Sequence, residues 1–154
     1  MFFGDGLNPG NMKKISFLDV ILVLFAVLFV YAAVSKLLTY DEFKVQISKS
    51  PLIMNQGWWI SWAVPGIEIA ISAMLFNPRL RLTALYGAFL LMFIFTIYIG
   101  FMLAFVPDLP CSCGGILSRM GWTEHLIFNI AFTLLAIVGI VLSNREKRVE
   151  TLAL

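Results

Sequence analysis

The sequence has little charge and few of the groups that build most enzyme active sites. Asp, Glu, Lys and Arg make up 13% of the 154 residues, against about a quarter in a typical soluble domain. The chain has one histidine and two cysteines. It has no glycine-rich phosphate loop and no histidine cluster with the spacing of a metal site. The net charge of +2 is too small to indicate a nucleic-acid partner.

Apolar residues are correspondingly abundant in the sequence. They make up 60% of the chain, whereas a soluble domain is about half apolar. They fall into four runs, at residues 15–34, 58–76, 82–106 and 126–142. Because a helix needs roughly 20 apolar residues to cross a bilayer, each run predicts a transmembrane helix. Soluble buried helices of this length would show a polar stripe, and residues 21–34 and 88–105 show almost none.

We therefore predict an all-α fold, a membrane four-helix bundle that forms a single domain over residues 1–154. The predicted transmembrane helices cover residues 15–36, 58–77, 82–106 and 123–143, with a tight turn at Asn77-Pro78. The first run is too long for the apolar core of a signal peptide, so we expect it to be retained as a helix. Residues 1–11 precede Met12-Lys13-Lys14, which resembles a natural start, and we expect them to have no structural role.

Lysine and arginine are unevenly distributed between the two ends of these helices. Seven lie on the side of the N-terminal flank, the second turn and the C-terminal tail: Lys13, Lys14, Arg79, Arg81, Arg145, Lys147 and Arg148. Four lie on the other side: Lys36, Lys44, Lys49 and Arg119. The positive-inside rule places the side with seven in the cytoplasm. Both termini are then cytoplasmic, and the loops 37–57 and 107–122 face outward.

Both cysteines lie in one of these outward loops, in Pro110-Cys111-Ser112-Cys113-Gly114-Gly115. Neighbouring thiols in an oxidising compartment tend to be oxidised. Cysteines two positions apart close only a small, strained ring, and a strained disulfide is more easily reduced. The segment therefore fits a dithiol–disulfide exchange site. Alternatively, the cysteines stabilise a tight loop or pair with another subunit. A metal site is not expected, because two thiolates and one histidine leave a four-ligand shell incomplete.

Three polar residues of the predicted helices are further candidates. His125 follows Thr123, a possible helix cap, and could take a proton from an attacking thiol; otherwise it is an interfacial histidine bonded to Asn129. Glu68 lies midway along the second helix, where a carboxylate is costly and is a functional candidate by default, although it could simply bond a neighbouring helix. Lys36 could extend to the headgroups or turn inward towards an acid, and the sequence does not decide which.

The chain resembles the DoxX-like membrane proteins and, among them, the MauE-type redox-associated branch. The residues that carry the resemblance are Ala33-Val34-Ser35-Lys36-Leu37, Pro65-Gly66-Ile67-Glu68 and Cys111-Ser112-Cys113-Gly114-Gly115. The last is similar to a Cys-Gly-Cys-Phe-Gly segment of that branch, with Ser112 and Gly114 at its variable points. The resemblance covers about residues 15–142.

This resemblance implies a four-helix bundle in the bacterial inner membrane. The MauE-type proteins are associated with maturation of methylamine dehydrogenase, whose periplasmic subunit must form disulfides, alongside a thioredoxin-like partner. Other DoxX-like proteins are subunits of a thiosulfate–quinone oxidoreductase, which makes quinone a possible cofactor.

Together, these observations favour a membrane thiol–disulfide redox protein, a candidate oxidoreductase, that supports disulfide formation or reduction in periplasmic proteins. Cys111 and Cys113 would exchange electrons with a periplasmic thioredoxin-like protein. His125 would assist proton transfer, and Glu68 would line a quinone cavity or a proton path. The alternative is a non-catalytic anchor or scaffold subunit of a larger membrane complex. A transporter fits less well, since four helices leave little room for a pathway.

Overall fold

The computed structural model describes residues 16–48, 57–105 and 121–152, which are almost entirely helical and contain no strand. The helices are α1 (Phe17–Leu38), α2 (Tyr40–Ser48), α3 (Gly57–Leu75), α4 (Arg81–Phe105) and α5 (Trp122–Leu152). All but the short α2 are long and apolar enough to cross a membrane. The predicted all-α fold with four membrane-spanning helices is therefore confirmed. The prediction that residues 1–154 form a single domain stays a prediction.

The four long helices form a closed ring in the order α1, α3, α4, α5. α1 packs mainly on α3 and α4 mainly on α5, while smaller α3–α4 and α1–α5 contacts complete the ring. The short α2 lies against α3 and touches α1. At the turn between α3 and α4, the Asn77 side chain accepts a hydrogen bond from the Arg79 amide at 3.1 Å. This turn brings α4 back antiparallel to α3.

Contacts between distant parts of the chain identify the two ends of the ring. The Ser16 hydroxyl donates to Glu146 at 3.2 Å, and Arg81 lies 3.8 Å from Asp19. The starts of α1 and α4 and the end of α5 are therefore at one end, which we call the terminal end. The end of α1, the start of α3, the end of α4 and the start of α5 are at the opposite end, which we call the α2 end.

The outward faces of the long helices are as apolar as the interior. Val27 on α1, Leu90 on α4 and Leu134 on α5 are each more than half exposed. A helix that is apolar on every side is typical of a protein whose surroundings are hydrocarbon rather than water. The bundle interior holds the larger buried side chains, among them Phe25 and Phe29. The long helices thus present apolar side chains both to one another and to their surroundings.

Three features differ from the sequence predictions. The region 37–57, expected to be a loop, contains the helix α2. α5 runs to Leu152 instead of ending near residue 143, because its charged last turns are exposed and continue the helix beyond the apolar run. Thr123 is not the cap of α5, since it lies inside the first turn. Instead the Glu124 carboxylate accepts the Gly121 amide at 3.0 Å, which satisfies a donor at the helix start.

Candidate functional site

A buried ion pair joins α1 to α3 towards the α2 end. The Lys36 ammonium lies 2.6 Å from Glu68 Oε1, and Glu68 is only 1% exposed while the Lys36 side chain is 20% exposed. The sequence left open whether Lys36 extends outward or turns inward, and the structure turns it inward. Glu68 therefore has a positively charged partner inside the bundle, which offsets the cost of burying its charge.

Two aromatic rings from other helices flank the Lys36 ammonium. Its nitrogen lies 5.9 Å from the ring centre of Phe43 on α2 and 5.6 Å from that of Phe95 on α4. Both distances are within the range of a cation–π contact. The lysine thus meets residues of three other helices, α2, α3 and α4. The short helix α2 is part of the site because Phe43 covers the ammonium.

The second carboxylate oxygen of Glu68 has no partner among the described residues. Oε2 is fully buried and accepts no hydrogen bond there. Leaving a buried acceptor unsatisfied costs about 1–3 kcal/mol, and more for a charged group. Buried polar groups without a protein partner commonly bond an ordered water molecule. Glu68 Oε2 is thus an open acceptor within the bundle.

The buried face of α3 places Glu68 in line with other polar residues. Ser61, Glu68 and Ser72 are each at most 2% exposed, and their spacing puts them on one helical face. Pro65, also buried on this face, lies one turn before Glu68. The Ser72 hydroxyl donates to the Ala26 carbonyl of α1 at 3.3 Å. This stripe points α3 towards α1, so Glu68 faces the helix that carries Lys36.

His125 lies in the first turns of α5, on the same side of the bundle as the ion pair. Its side chain is half-buried, and it is close enough to Lys36 for the two groups to interact electrostatically. Asn129 is buried, and its side-chain amide donates to the His125 carbonyl at 2.9 Å. The contact with Asn129 thus uses the backbone of His125, where the sequence suggested its ring.

A hydrogen-bonded polar ladder continues along α5 from Asn129. The Thr133 hydroxyl donates to the Asn129 carbonyl at 2.7 Å and lies 3.3 Å from the Thr96 hydroxyl of α4. Thr96 in turn donates to the Met92 carbonyl at 2.7 Å. These bonds satisfy the hydroxyls within the α4–α5 interface. The ladder therefore fastens α5 to α4 and leaves Glu68 Oε2 as the open acceptor.

Cys111 and Cys113 lie outside the described residues, so their predicted exchange role stays a prediction. In the sequence they fall between Phe105, the last residue of α4, and Trp122, the first of α5. Both of those helix termini are at the α2 end, as are Lys36 and His125. Within the described residues, no group of three or more His, Cys, Asp or Glu side chains could hold a metal ion.

Sequence reasoning missed two members of this site, Phe43 and Phe95. The chain has fourteen phenylalanines, and nothing in the sequence separates these two from the phenylalanines that face lipid or core. Their role depends on which helices meet at Lys36, so only the packed bundle reveals it. Glu68 and Lys36 were both detectable as charged residues within or near apolar runs.

The comparisons with known proteins give a family match. No curated protein and no solved structure matches the chain. A family model described as methylamine utilisation protein MauE matches residues 14–142, a range that includes the four apolar runs, the ion pair and both cysteines. The chain therefore belongs to the MauE family of membrane proteins.

Proposed function

We propose that this chain is a thiol–disulfide redox protein of the bacterial inner membrane, with Cys111 and Cys113 as its exchanging pair. The observation that carries the proposal is the position of these two cysteines. They are the only cysteines of the chain, they stand two residues apart, and the sequence places them between two helix termini at the α2 end. Membership of the MauE family supports an accessory role of this kind. Membership of the wider DoxX-like group stays a prediction.

The distribution of charge supports an orientation for the bundle. Arg79, Arg81, Arg145, Lys147 and Arg148 all lie at the terminal end. The positive-inside rule then assigns the terminal end to the cytoplasm and the α2 end to the periplasm. Exposed tryptophans at the start of α3, Trp58 and Trp59, are consistent with a membrane interface at the α2 end. In this orientation the cysteine pair meets an oxidising compartment.

The proposed exchange proceeds through a mixed disulfide. A thiolate of a reduced periplasmic thioredoxin-like protein attacks one sulfur of a Cys111–Cys113 disulfide, and the other sulfur leaves as a thiolate. The partner's second thiolate then displaces the bound sulfur, so the partner is oxidised and the pair is reduced. Two electrons pass to this chain, and two protons convert its thiolates to thiols. Reoxidation of the pair would need an acceptor of two electrons and two protons, a chemistry that a membrane quinone would supply. The same exchanges in reverse would reduce a partner.

His125 and Glu68 have supporting roles in this proposal. His125 accepts or donates a thiol proton at the membrane surface. Glu68 lines the proton path or the quinone cavity, with Lys36 as its counter-charge at 2.6 Å. Lys36 is a positioning residue, because it acts on the reacting groups through Glu68. Lys36 is on α1, which ends at the α2 end, and Glu68 is on α3, which begins there.

The test is to trap the exchange intermediate. The Cys111→Ser and Cys113→Ser variants each retain one thiol. In one of them this thiol should attack the disulfide of a co-expressed, oxidised thioredoxin-like protein and hold that protein as a mixed disulfide, detected by mass spectrometry after alkylation. The variant that combines Cys111→Ser with Cys113→Ser should leave the partner in its unreacted redox state. Ser112→Ala, which keeps both thiols, is the matched control and should exchange normally. Thiols that stay free and unreactive in the native chain would disprove the exchange.

The alternative function is a scaffold subunit. The long helices expose many large apolar side chains to lipid, so the described part of the chain has little water-facing surface on which to build an active site. In this alternative a partner subunit supplies the active site. Purification from native membranes separates the two proposals. A stoichiometric partner that remains bound when both cysteines are serine, with its redox state unchanged, supports the scaffold and counts against exchange.

A further inference from the structure

We infer that Lys36 and Glu68 form a proton-exchange site that opens towards the α2 end of the bundle and is closed towards the terminal end. The proton moves between water at the α2 end and the Glu68 carboxylate, forming one carboxyl O–H bond as a hydronium O–H bond breaks. The use of this proton in thiol–disulfide exchange rests on the proposed function. The one-sided access does not, because it follows from the packing of the described helices.

The first support is the open acceptor on Glu68. One carboxylate oxygen is held by Lys36 at 2.6 Å, while Oε2 is fully buried without a protein partner among the described residues. A buried carboxylate oxygen requires a donor, and the groups small enough to supply one in a packed bundle are a water molecule and a proton. The site is therefore built to hold an exchangeable hydrogen.

The second support is a polar connection from Glu68 to the α2 end. Lys36 lies in the last turn of α1, just before the end of the helix at Leu38, and its side chain is one-fifth exposed. His125, in the first turns of α5, is half-buried at the same end of the bundle. The Lys36 ammonium has three N–H groups, so it bonds Glu68 and still offers donors to water. The Lys36 ammonium thus connects Glu68 with water at the α2 end of the bundle.

The third support is the phenylalanine layer (Phe25, Phe29 and Phe132), whose α1 members lie two to three turns before Lys36, towards the terminal end. Phe25 and Phe29 are at most 1% exposed, with ring centres 5.8 Å apart. Phe132 of α5 meets Phe25 edge-to-face at 5.5 Å and packs on Phe128 at 4.5 Å. A dry layer of packed rings offers no hydrogen-bond partner to a water molecule. Water that reaches Glu68 therefore has no polar route past this layer.

The apolar packing tightens further towards the terminal end. An added Cβ at Gly139 of α5 would lie 3.0 Å from Leu85 and 3.2 Å from Ile21, so three helices meet there without a gap. Ala84 and Ala88 of α4 are completely buried in the same core. Ser72 lies on this side of Glu68, but its hydroxyl is already donated to the Ala26 carbonyl. Between Glu68 and the terminal end, α1, α4 and α5 are thus in close apolar contact around Gly139.

The other titratable groups near Glu68 are few. On α1, only Tyr31 accompanies Lys36 in the half nearer the α2 end. The charged residues of α2 are exposed: Asp41, Glu42 and Lys44. α4 brings Tyr98 and no charged residue near this level, and α5 brings Glu124 and His125. Lys36 is the group in direct contact, so it dominates the local field at Glu68.

Infrared difference spectroscopy of the full chain in sealed vesicles tests the inference. A protease-sensitive C-terminal tag reports which side the terminal end faces. The pH is stepped on one side while the other side is buffered, and the Glu68 band is identified as the carboxyl band that Glu68→Gln removes. Asp19, a partly exposed carboxylate at the terminal end, is the matched control, and its band is identified with Asp19→Asn.

We expect the Glu68 band to respond to steps on the α2 side only, and the Asp19 band to steps on the terminal side only. A Glu68 response to terminal-side steps overturns the inference, and so does no Glu68 response to either side. The measurement is repeated with Cys111→Ser and Cys113→Ser combined, where the one-sided response should persist. If the native chain fails to exchange disulfides with a partner but shows the one-sided response, the proposed function is rejected and this inference stands.

Discussion

At the scale of single residues, the two members of the ion pair differ in how easily each can reach water. Glu68 is 1% exposed midway along α3, whereas the Lys36 side chain is 20% exposed in the last turn of α1. A lysine at a helix end can extend its flexible chain towards the interface when its partner is removed. A carboxylate in mid-helix has no such route. The loss of either partner should therefore have unequal consequences.

We predict that Lys36→Met destabilises the bundle more than Glu68→Gln does. Lys36→Met leaves a buried carboxylate without its counter-charge and should cost about 3 kcal/mol. Glu68→Gln leaves a lysine that can reach the surface and should cost about 1 kcal/mol. Reversible unfolding in mixed detergent micelles, followed by circular dichroism, measures both free energies.

The double variant Lys36→Met/Glu68→Gln completes this thermodynamic cycle. Since it leaves no buried charge, it should be more stable than Lys36→Met alone, and the two substitutions should be clearly non-additive. Val34, an exposed residue two positions before Lys36 on α1, offers a control position: Val34→Ala with Glu68→Gln should be nearly additive. Additive costs for the Lys36 and Glu68 pair would contradict the ion pair.

At the scale of helices, close approach between α1, α4 and α5 depends on a residue without a side chain. Gly139 of α5 faces Leu85 and Ile21 at distances that leave no space for a larger residue. Small residues at such positions let membrane helices pack closely. By contrast, an added Cβ at Gly100 of α4 or Gly66 of α3 would meet nothing within 4 Å. The glycines of this chain thus differ in what they tolerate.

We predict that Gly139→Val destabilises the bundle by about 2 kcal/mol, because overpacking forces the three helices apart. The matched control is Gly100→Val, which introduces the same side chain into an open position and should be close to neutral. Both are measured by the same detergent unfolding experiment. Equal destabilisation by the two variants would show that helix propensity, not packing, sets the cost.

The helices also show where sequence prediction succeeds and fails. The four long helices were predictable because hydrocarbon demands about 20 consecutive apolar residues. α2 was not predicted, since its nine residues mix charged and apolar side chains in a pattern too short to separate from a loop. The sequence prediction assigned the cap of α5 to the Thr123 hydroxyl. In the structure the Glu124 side chain instead reaches back across the first turn and accepts the Gly121 amide.

At the scale of the whole molecule, the closed ring fixes which segments share a side of the membrane. The contacts Ser16–Glu146 and Asp19–Arg81 place both ends of the described chain together. A chain that crosses the membrane four times must also have both ends on the same side. Which side this is depends on the positively charged residues of the terminal end.

We predict that the terminal end is cytoplasmic, and single-cysteine labelling in intact cells checks it. In a background with Cys111→Ser and Cys113→Ser, a membrane-impermeant maleimide should label Asp41→Cys on α2. It should not label Asn77→Cys in the α3–α4 turn until the cells are opened. Both native side chains are exposed, so the two variants are matched in access. The reverse labelling pattern would invert the proposed topology.

The sequence by itself determined that this chain is a four-helix membrane protein, because the length and composition of an apolar run are enough to specify a spanning helix. It also identified Glu68, since a carboxylate within such a run is rare and costly. Only the tertiary structure decided that Lys36 turns inward, because a lysine at a helix end can satisfy its charge either in the headgroups or on a buried acid. Lys36 turns inward because α3 directs Glu68 towards α1. Phe43 of α2 and Phe95 of α4 also contact the ammonium.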